Sequence, residues 1–435
     1  MPCVVLPAGA VLLPAFVDEH VHLLATLAAR TSIDLAGAAS VAEVLERLHV
    51  GATTWRRGDA LRTYVRAWGL DEHELRERRL PTASEIERAV GGAPVVIHHR
   101  TGHLTLANEE GRQRAATSEG QFAESRGPLP AKAQRQWARL RREGARLGAE
   151  LAALGVVEVC DATPAHSATL GALARLPLPQ RVRAMVDPRF LGPPSPGRWS
   201  APRSVRTVAA GAQLPGLRLE AVKIMPPRLA PEDIAGHTAR AHELGLRVAV
   251  HAVDVDELQA ALDGGLGPGD RVEHAGLCLP EQLEELAARS ITVVTQPTFV
   301  TRRAAKYRAE LSPVEQAWLY RLRSLVAAGV AVRFSSDTPV VPPGPLEQVT
   351  AAATRRLGPD ERLDVATALA AVSRPAAPGD PADLVVLGAD PLAVDAAFVE
   401  HIAVLATWRS GELLHGDPAH WPSCPPARSG DGVAP

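Results

Sequence analysis

Lysine is scarce in this chain of 435 residues, because only three of its 47 cationic side chains are lysines: Lys132, Lys223 and Lys306. The four cysteines are scattered and form no CxxC pair, which excludes a dense disulfide framework and favours a reducing compartment, taken as the cytoplasm. The formal net charge is only −2, so no charge excess indicates a nucleic acid or a membrane surface as a partner. Prolines interrupt the uncharged first 17 residues, which indicates short β segments rather than a signal peptide or an anchor.

Eight short segments rich in β-branched residues alternate with helical stretches, a pattern typical of βαβ units around a parallel sheet. The segments are Val11–Val17, Val156–Cys160, Arg181–Val186, Leu217–Ile224, Leu246–Val250, Arg271–Glu273, Ile291–Thr295 and Val330–Phe334. Apolar residues make up 46% and charged residues 22% of the chain, which excludes a disordered or collagen-like protein. The fold class predicted from these segments is α/β, a (β/α)8 TIM-type barrel.

The spacing of the segments predicts additions to the barrel of residues 11–375. More than 130 residues separate the first two segments, so a large insertion after strand one is expected at about residues 40–150. It would hold helices near Val41–Leu48, Asp71–Arg79 and Ala133–Leu154 and a strand at Val95–His98. Strands at Ala382–Gly388 and His401–Gly411 would join the first ten residues in a small, partly truncated β-sandwich, composed of 1–10 and 376–415. Residues 416–435, rich in Pro, Gly and Ser, predict a flexible tail.

Metal-binding side chains occur where the predicted strands end. His20 and His22 stand at i and i+2 at the end of the first strand, so both imidazoles project to one face and can reach the same ion. Four other strands end near Lys223, His251, His274 and Asp337. The carboxyl ends of all barrel strands open on one face, so these side chains would converge there. Any one histidine alone is more often a core or loop residue, but their shared placement favours a metal site.

Lys223 needs a separate explanation, because an ammonium among histidines would repel a cation. Carbamylated by carbon dioxide, its side chain becomes a carboxylate that can bridge two metals, which the permanently protonated guanidinium of arginine cannot do. In a chain that almost always chooses arginine, a lysine at this position indicates that the amine itself is required. The alternative is that Lys223 is an ordinary lysine of the barrel rim or surface.

Several motifs resemble one known family. The segment Pro14-Ala-Phe-Val-Asp-Glu-His-Val-His-Leu resembles the opening motif of the amidohydrolase superfamily. Arg271-Val-Glu-His274, Val250-His251-Ala and Ser335-Ser-Asp337-Thr-Pro-Val resemble the later strands of its branch that contains N-substituted formamide deformylase. The insertion fits that branch too, and Pro378-Gly-Asp-Pro-Ala-Asp-Leu-Val-Val-Leu looks like the family's return to its β-sandwich. The resemblance covers about residues 10 to 412.

The resemblance implies a binuclear metal site. One divalent metal would be held by His20, His22 and Asp337 and the other by His251 and His274, with carbamylated Lys223 and a hydroxide bridging them. Such metals lower the pKa of a bound water to roughly 7 and polarise the scissile carbonyl. Asp337 would also take the proton from the attacking hydroxide and pass it to the leaving nitrogen. Zinc suits these ligands, and iron, manganese or nickel would also fit.

The residues that would bind the substrate are less clearly marked. In the insertion, His99, Arg100 and His103 could reach over the barrel mouth, with Arg100 as a partner for a carbonyl or a carboxylate. The alternative is that these residues cap a helix or pair within the insertion.

The leading interpretation is a metal-dependent hydrolase that cleaves a non-peptide C–N bond in an amide, formamide, carbamate or cyclic amide. Its partner would be a small-molecule substrate, and members of this group often form homo-oligomers. One alternative is a mononuclear deaminase of the same superfamily, which needs a glutamate shortly after the strand-five histidine, where this chain has Asp254. Another alternative is a non-catalytic binding protein on a decayed amidohydrolase fold. The main departure from the family pattern is that only 19 residues precede His20, so the β-sandwich should be small or open.

Overall fold

A computed structural model describes residues 5–56, 64–102, 104–121, 131–191, 216–226, 231–375, 377 and 379–421. Its centre is a sheet of eight parallel strands in which each strand pairs with the next along the chain. The eight barrel strands, in order, are Phe16–Val21, Val156–Ala165, Arg181–Val186, Leu217–Ile224, Arg247–Ala252, Arg271–His274, Thr292–Thr295 and Val332–Phe334. The (β/α)8 barrel predicted from the sequence is confirmed.

A seam between the first and last strands closes the barrel. Val21 and Thr338 form a parallel bridge, and the His22 N–H donates to the Thr338 carbonyl at 2.9 Å. Asp18 accepts hydrogen bonds from the Ser336 N–H at 3.0 Å and from the Ser336 hydroxyl at 2.6 Å. Burial raises the pKa of the Asp18 carboxyl to about 7, although these hydrogen bonds oppose the rise. The seam therefore joins the two ends of the barrel sheet through backbone and side chain together.

The helices pack outside the barrel, and several begin with a proline at the first helical position, where its missing N–H has no cost. In chain order they are Leu23–Arg30, Ala131–Ala153, Ser167–Leu173, Pro231–Glu243, Val255–Asp263, Pro280–Ala288, Pro297–Arg302, Ala304–Glu310, Pro313–Ala317, Leu322–Ala327, Pro345–Thr354 and Val365–Val372. The main core lies between these helices and the strands. A separate cluster of small side chains from strands two to five fills part of the barrel interior: Cys160, Ala162, Met185, Ala221 and Ala249.

The insertion between the first two barrel strands forms its own layer. Its sheet has the strand order Ile33–Asp34, Val65–Leu70, Val95–His99 and Thr105–Ala107, and its helices are Val41–Thr54, Ala83–Val90 and Glu109–Gln121. A second hydrophobic cluster lies within it. The helix predicted near Asp71–Arg79 is wrong, because this stretch is a series of turns in which the Asp71 carboxylate accepts from the His73 N–H at 3.0 Å and Arg78 has a φ of 51°.

The two chain ends meet in one antiparallel sheet of four strands, Val11–Pro14, Leu384–Leu387, Val404–Arg409 and Glu412–Gly416. Short 3₁₀ turns occur at Pro188–Leu191, Pro359–Glu361, Ala396–His401 and Pro418–His420. The predicted first strand, Val11–Val17, is therefore two strands, since the chain passes from this sheet to the barrel at Ala15. Val11–Pro14 is the N-terminal strand of this sheet among the described residues, and residues 1–4 of the predicted β-sandwich and 422–435 of the predicted tail lie outside them. None of the helices described here combines the length and apolarity that crossing a membrane requires.

We expect Arg355→Met to lower the free energy of unfolding by about 3–5 kcal/mol, because the buried carbonyls of Leu319 and Leu357 lose their side-chain donor and that of Tyr320 keeps, among the described residues, only the Leu322 N–H. Arg355 is 1% exposed and donates to the carbonyls of Leu357, Tyr320 and Leu319 at 2.8, 2.6 and 2.9 Å. Urea unfolding measures the change, and Arg356→Met, at the exposed neighbouring position, is the matched control. Equal stability of the two variants would contradict the structural role of Arg355.

Candidate metal centre

The sequence-predicted metal ligands all lie at the carboxyl-terminal mouth of the barrel. His20 is in the first strand and His22 follows it, and the other four candidates are at or just after the ends of their strands: Lys223, His251, His274 and Asp337. A bulge in the fourth strand, between its pairings to Ala184 and Val186, sets the direction of Lys223. Because of this extra residue, Glu220 and Lys223 both face the barrel interior although they are three positions apart.

The imidazoles of His20 and His22 point at the same carboxylate. The Nε2 atoms of His20 and His22 lie 3.5 and 3.2 Å from Oδ1 of Asp337. Burial lowers the pKa of His20 to about 3, which leaves the imidazole neutral, the form that binds a metal. Burial alone would raise the pKa of Asp337, but the two neighbouring histidines hold it below its usual range. This trio therefore offers two imidazole nitrogens and an ionised oxygen at one point.

His274 and His251 continue the cluster on the other side of His20. The ring centroid of His274 lies 5.0 Å from that of His20 and 4.7 Å from that of His251. His20, His274 and Asp337 each offer a donor atom within 4.8 Å of the others. All five candidate imidazole and carboxylate ligands thus form one continuous group.

Three of the histidines use their Nδ1 atoms to contact the protein, which directs their Nε2 atoms to the centre of the mouth. The contacts join His20 to Glu273, His22 to the Thr163 hydroxyl at 2.9 Å, and His274 to the Gln296 side-chain oxygen at 2.8 Å. An acceptor at Nδ1 fixes the proton there and leaves the Nε2 lone pair free, as in metal-ligating histidines generally. The donor set therefore fits a divalent metal.

Gln296 is a residue that sequence reasoning missed, although it directly follows the seventh barrel strand. Its amide nitrogen donates to the Ser335 hydroxyl at 2.9 Å, so its oxygen is turned towards His274. Thr163 and Glu273 were missed as well. Glu273 precedes His274 in the sequence, but its contact with His20 links strands that are 253 residues apart and has no local signal.

Gln296→Leu is expected to weaken metal binding about 10- to 100-fold, because His274 loses the acceptor that sets its tautomer and its orientation. Metal affinity can be measured by competition with a chromogenic chelator. Gln259→Leu, on an exposed helix position, is the matched control and should bind metal like the wild type. An unchanged affinity in Gln296→Leu would exclude this supporting role.

Lys223 lies among these residues without a partner of its own. It is 2% exposed, and its Nζ has no hydrogen-bond partner among the described residues. Burial lowers the pKa of its ammonium, which favours the neutral amine. In the sheet Lys223 pairs with Ala249, two residues before His251. The interpretation of Lys223 as a surface lysine is therefore wrong.

A buried ion-pair network lies below the mouth and reaches one of the ligands. Arg183 pairs with Glu19, Glu158 and Glu220 at 2.5–2.9 Å. Arg271 donates to Glu273, whose other oxygen contacts His20. The network therefore holds Glu273 ionised and in place against the His20 imidazole.

Two candidate ligands have left-handed backbone conformations. The φ angles of His274 and Asp337 are 76° and 57°. Non-glycine residues in this region cost about 1–3 kcal/mol each and occur mainly where the surrounding structure enforces them. At Asp337 the N–H donates to the His20 carbonyl at 2.8 Å, which is part of the seam. The strain thus coincides with the positions that direct ligands into the mouth.

The substrate-binding residues predicted in the insertion have partners there. His99 contacts Glu72 at 2.9 Å, and Arg100 pairs with Glu74 at 2.5 Å. His103 lies outside the described residues. The structure therefore does not bring His99 or Arg100 into contact with the metal-ligand candidates, in keeping with the alternative that they pair within the insertion. The insertion does approach the mouth, since His73 contacts Glu310 after the seventh barrel strand at 3.2 Å.

Asp254, which stands where the deaminase interpretation needs a glutamate, caps a helix. Its carboxylate accepts from the Glu257 N–H at 2.8 Å and caps helix Val255–Asp263. Glu257 itself lies 4.0 Å from Nε2 of His251, and burial raises the pKa of its carboxyl. Glu257, six positions after His251, is thus an acid beside that histidine.

Comparisons with known proteins agree with the geometry. A family model described as "Amidohydrolase family" matches residues 8–415. The chain is similar to a solved structure described as an uncharacterized metal-dependent hydrolase from Pyrococcus horikoshii OT3, with a TM-score of 0.64 and 24% identity over 89% of this chain and 88% of that one. That likeness shows the fold.

Two curated relatives match part of the chain. Protein LONG AFTER FAR-RED 3 of Arabidopsis thaliana is 27% identical over 220 residues, which is 42% of this chain and 37% of that protein. The putative amidohydrolase YtcJ of Bacillus subtilis strain 168 is 26% identical over 204 residues, 40% of this chain and 39% of that protein. The matched part therefore spans less than two fifths of the length of either relative.

Proposed function

The chain belongs to the amidohydrolase family, and on that premise we propose that it is a metal-dependent hydrolase of non-peptide C–N bonds in amides, formamides, carbamates or cyclic amides. The observation that carries this proposal is the meeting of the His20 and His22 Nε2 atoms with Oδ1 of Asp337, within 3.5 Å. Metal chemistry needs unprotonated nitrogen and ionised oxygen donors at one point. The branch proposed within the family is the one that contains N-substituted formamide deformylase.

Two divalent metals are proposed, with zinc suiting the ligands and iron, manganese or nickel as alternatives. His20, His22 and Asp337 would hold one metal, and His251 and His274 the other. When bound, such metals activate water at neutral pH and polarise a carbonyl. The residues around them supply the rest, namely orientation, charge and proton transfer.

Lys223 is proposed to become a carbamate. Its neutral amine nitrogen would attack the carbon of carbon dioxide, forming a C–N bond and releasing one proton, so that the product carries one negative charge. Burial of the amine and the absence of a hydrogen-bond partner among the described residues support this reaction. The resulting carboxylate-like group would give the histidine cluster the anionic bridge that an ammonium cannot provide.

Asp337 is proposed as the proton carrier. Its Oδ1 faces both His20 and His22, and the pKa of its carboxyl is held low, so it is ionised and ready to accept a proton from the attacking water. It would then donate that proton to the leaving nitrogen, which makes the amine a better leaving group.

The test combines metal analysis with an activity screen. The metal-supplemented protein is screened against N-formyl, N-acyl and carbamate compounds, before and after a chelator, and its metal content is measured. Near two metals per chain and chelator-sensitive hydrolysis support the proposal. One metal with release of ammonia favours the deaminase alternative and Glu257, while no metal after supplementation rejects both enzymes and favours a binding protein. His22→Asn should lower the metal content, and His401→Gln, at an exposed position, is the control.

The proposal also covers the kind of substrate, the oligomeric state and the cellular location. We propose a small-molecule substrate, a homo-oligomer and a cytoplasmic location, the last supported by buried Cys160 and Cys278, which are free thiols. We also propose that the insertion, the barrel and the terminal sheet are the domain units of the chain.

A further inference from the structure

An aromatic cluster adjoins the candidate metal ligands. The Phe299 ring, in helix Pro297–Arg302, lies nearly parallel to the His274 imidazole, with centroids 6.5 Å apart and an angle of 15°. Tyr320 stands edge-on to Phe299 at 6.3 Å, and Tyr307 lies 6.3 Å from Tyr320. Phe299, Tyr307 and Tyr320, the aromatic cluster, therefore form a row of rings that begins at a candidate ligand and leads away from it, and Phe299 and Tyr320 are as buried as the candidate ligands themselves.

Arg303 lies on this aromatic cluster. Its guanidinium carbon is 4.5 Å from the centroid of the Phe299 ring, within cation–π range, and it hydrogen bonds to Tyr307. Its Nη2 is buried and has no hydrogen-bond partner among the described residues. Buried polar groups are nearly always paired, so this nitrogen calls for a partner that comes from outside the described chain.

The neighbouring arginine shows the contrast. Arg302 is about half exposed and forms an ion pair with Glu347 at 2.7 Å. In the described part of the chain, no carboxylate lies within ion-pair distance of Arg303. A guanidinium presents a planar pair of donors that matches a carboxylate, and such charge-assisted hydrogen bonds are among the strong ones. The missing partner of Arg303 is therefore best matched by an anion.

The aromatic cluster is also tied to the strand that carries His274. The Tyr320 N–H donates to the carbonyl of Gly276, two residues after His274, at 2.9 Å. Tyr320 has a φ of 45° and is held by Arg355, which donates to its carbonyl at 2.6 Å. A molecule that lies along Phe299 could thus contact Arg303 at one end and reach the candidate ligand His274 at the other.

We propose that Arg303 binds a carboxylate of the substrate, and that the enzyme therefore acts on amides or formamides that carry a carboxylate and an apolar group. This inference rests on the proposed function. The apolar group would pack on Phe299, and the ion pair with Arg303 would hold the scissile C–N bond at the histidine cluster. The order of the contacts, from His274 through Phe299 to Arg303, would place these two ends of the substrate apart along one row of side chains.

The test measures binding separately from turnover. Isothermal titration calorimetry of the metal-loaded protein measures the affinity for three carboxylates: phenylacetate, 3-phenylpropionate and N-acetylphenylalanine. Each is compared with an uncharged counterpart: phenylacetamide, 3-phenylpropionamide and N-acetylphenylalaninol, respectively. We expect the wild type to prefer at least one carboxylate by about 10- to 100-fold, the worth of a charge-assisted hydrogen bond. Arg303→Met should abolish that preference, Arg303→Lys should keep part of it, and Arg302→Gln should leave it unchanged.

The outcomes separate this inference from the proposed function. A carboxylate preference that survives in Arg303→Met comes from the metals and overturns the role of Arg303, as does a wild type with no preference. If Arg303→Met does not fold, Arg303→Lys and the wild-type comparison decide. If the enzyme hydrolyses only uncharged amides, the carboxylate site is rejected and the proposed hydrolase function stands. If carboxylates bind in an Arg303-dependent way but no C–N bond is hydrolysed, the hydrolase function is rejected and the carboxylate site stands. With a turned-over substrate, Arg303→Met should raise KM more than it lowers kcat.

Discussion

Asp337→Asn is expected to reduce kcat about 1,000-fold or more, because an amide keeps the shape of the carboxylate but cannot carry a proton to the leaving nitrogen. The substitution also removes the negative charge that faces His20 and His22 within 3.5 Å. The measurement is kcat on the substrate found by the activity screen, together with metal content. Metal loss alone can be distinguished from proton-transfer loss by repeating the assay at saturating metal.

The control for this prediction is Asp263→Asn, an exposed carboxylate whose hydrogen bond within the described part of the chain is to Gln259 on its own helix. It should retain wild-type kcat and metal content. An Asp337→Asn enzyme that works within about tenfold of the wild type would refute the proton-transfer role, since general acid–base catalysis contributes about 10²–10⁴-fold.

Lys223→Ala is expected to lower the metal content from two ions to about one and to reduce kcat/KM by at least about 100-fold, because even the hydrogen-bond partners of metal ligands contribute 10- to 100-fold. The structure supports a role for this side chain, since Lys223 is buried and its strand pairs with the strand that carries His251. Added formate, acetate or propionate should restore part of the metal content and activity, since these acids can occupy the place of the carbamate.

Two matched variants sharpen the experiment on Lys223. Lys223→Arg should not restore activity, because a guanidinium stays protonated and does not react with carbon dioxide. Lys306→Ala should behave like the wild type, because that lysine is partly exposed and its ammonium lies 3.9 Å from the Glu310 carboxylate on the same helix rather than at a candidate ligand. Labelled bicarbonate should give a carbamate carbon signal in the wild type that Lys223→Ala lacks. A Lys223→Ala protein with two tightly bound metals and full activity, without added acids, would disprove the bridge.

The sequence was informative where function depends on the ends of parallel strands. Every strand of a parallel barrel ends at one face, so recognising the strands is enough to assign a polar residue at a strand end to that face. That rule is sufficient to place His251 and His274 together, and their rings are 4.7 Å apart. The same rule could have included Gln296, which follows its strand directly. It was missed because a side-chain amide is a less typical metal-site residue than a histidine.

Other features depend on contacts that have no local pattern. The break at Ala15 sends one continuous apolar run into two sheets, and only pairing with Leu384–Leu387 decides this. The bulge in the fourth strand changes which residues face inwards, and alternation in the sequence does not show it. Helical periodicity near Asp71 was overridden by the turns that Asp71 itself stabilises. Arg303 was missed because its buried Nη2, which has no hydrogen-bond partner among the described residues, is a property of the folded state.

The seam that closes the barrel makes the metal centre dependent on completed folding. Asp18 and Ser336, which join its two sides, are 318 residues apart in sequence. Contacts of such long range form late, because the entropy of closing the intervening chain must be offset before they become favourable. A nascent chain that lacks the last barrel strand lacks Asp337 and cannot assemble the trio with His20 and His22. Tight metal uptake would therefore mark the end of folding, and the bound ions would in turn stabilise the closed barrel against opening at the seam.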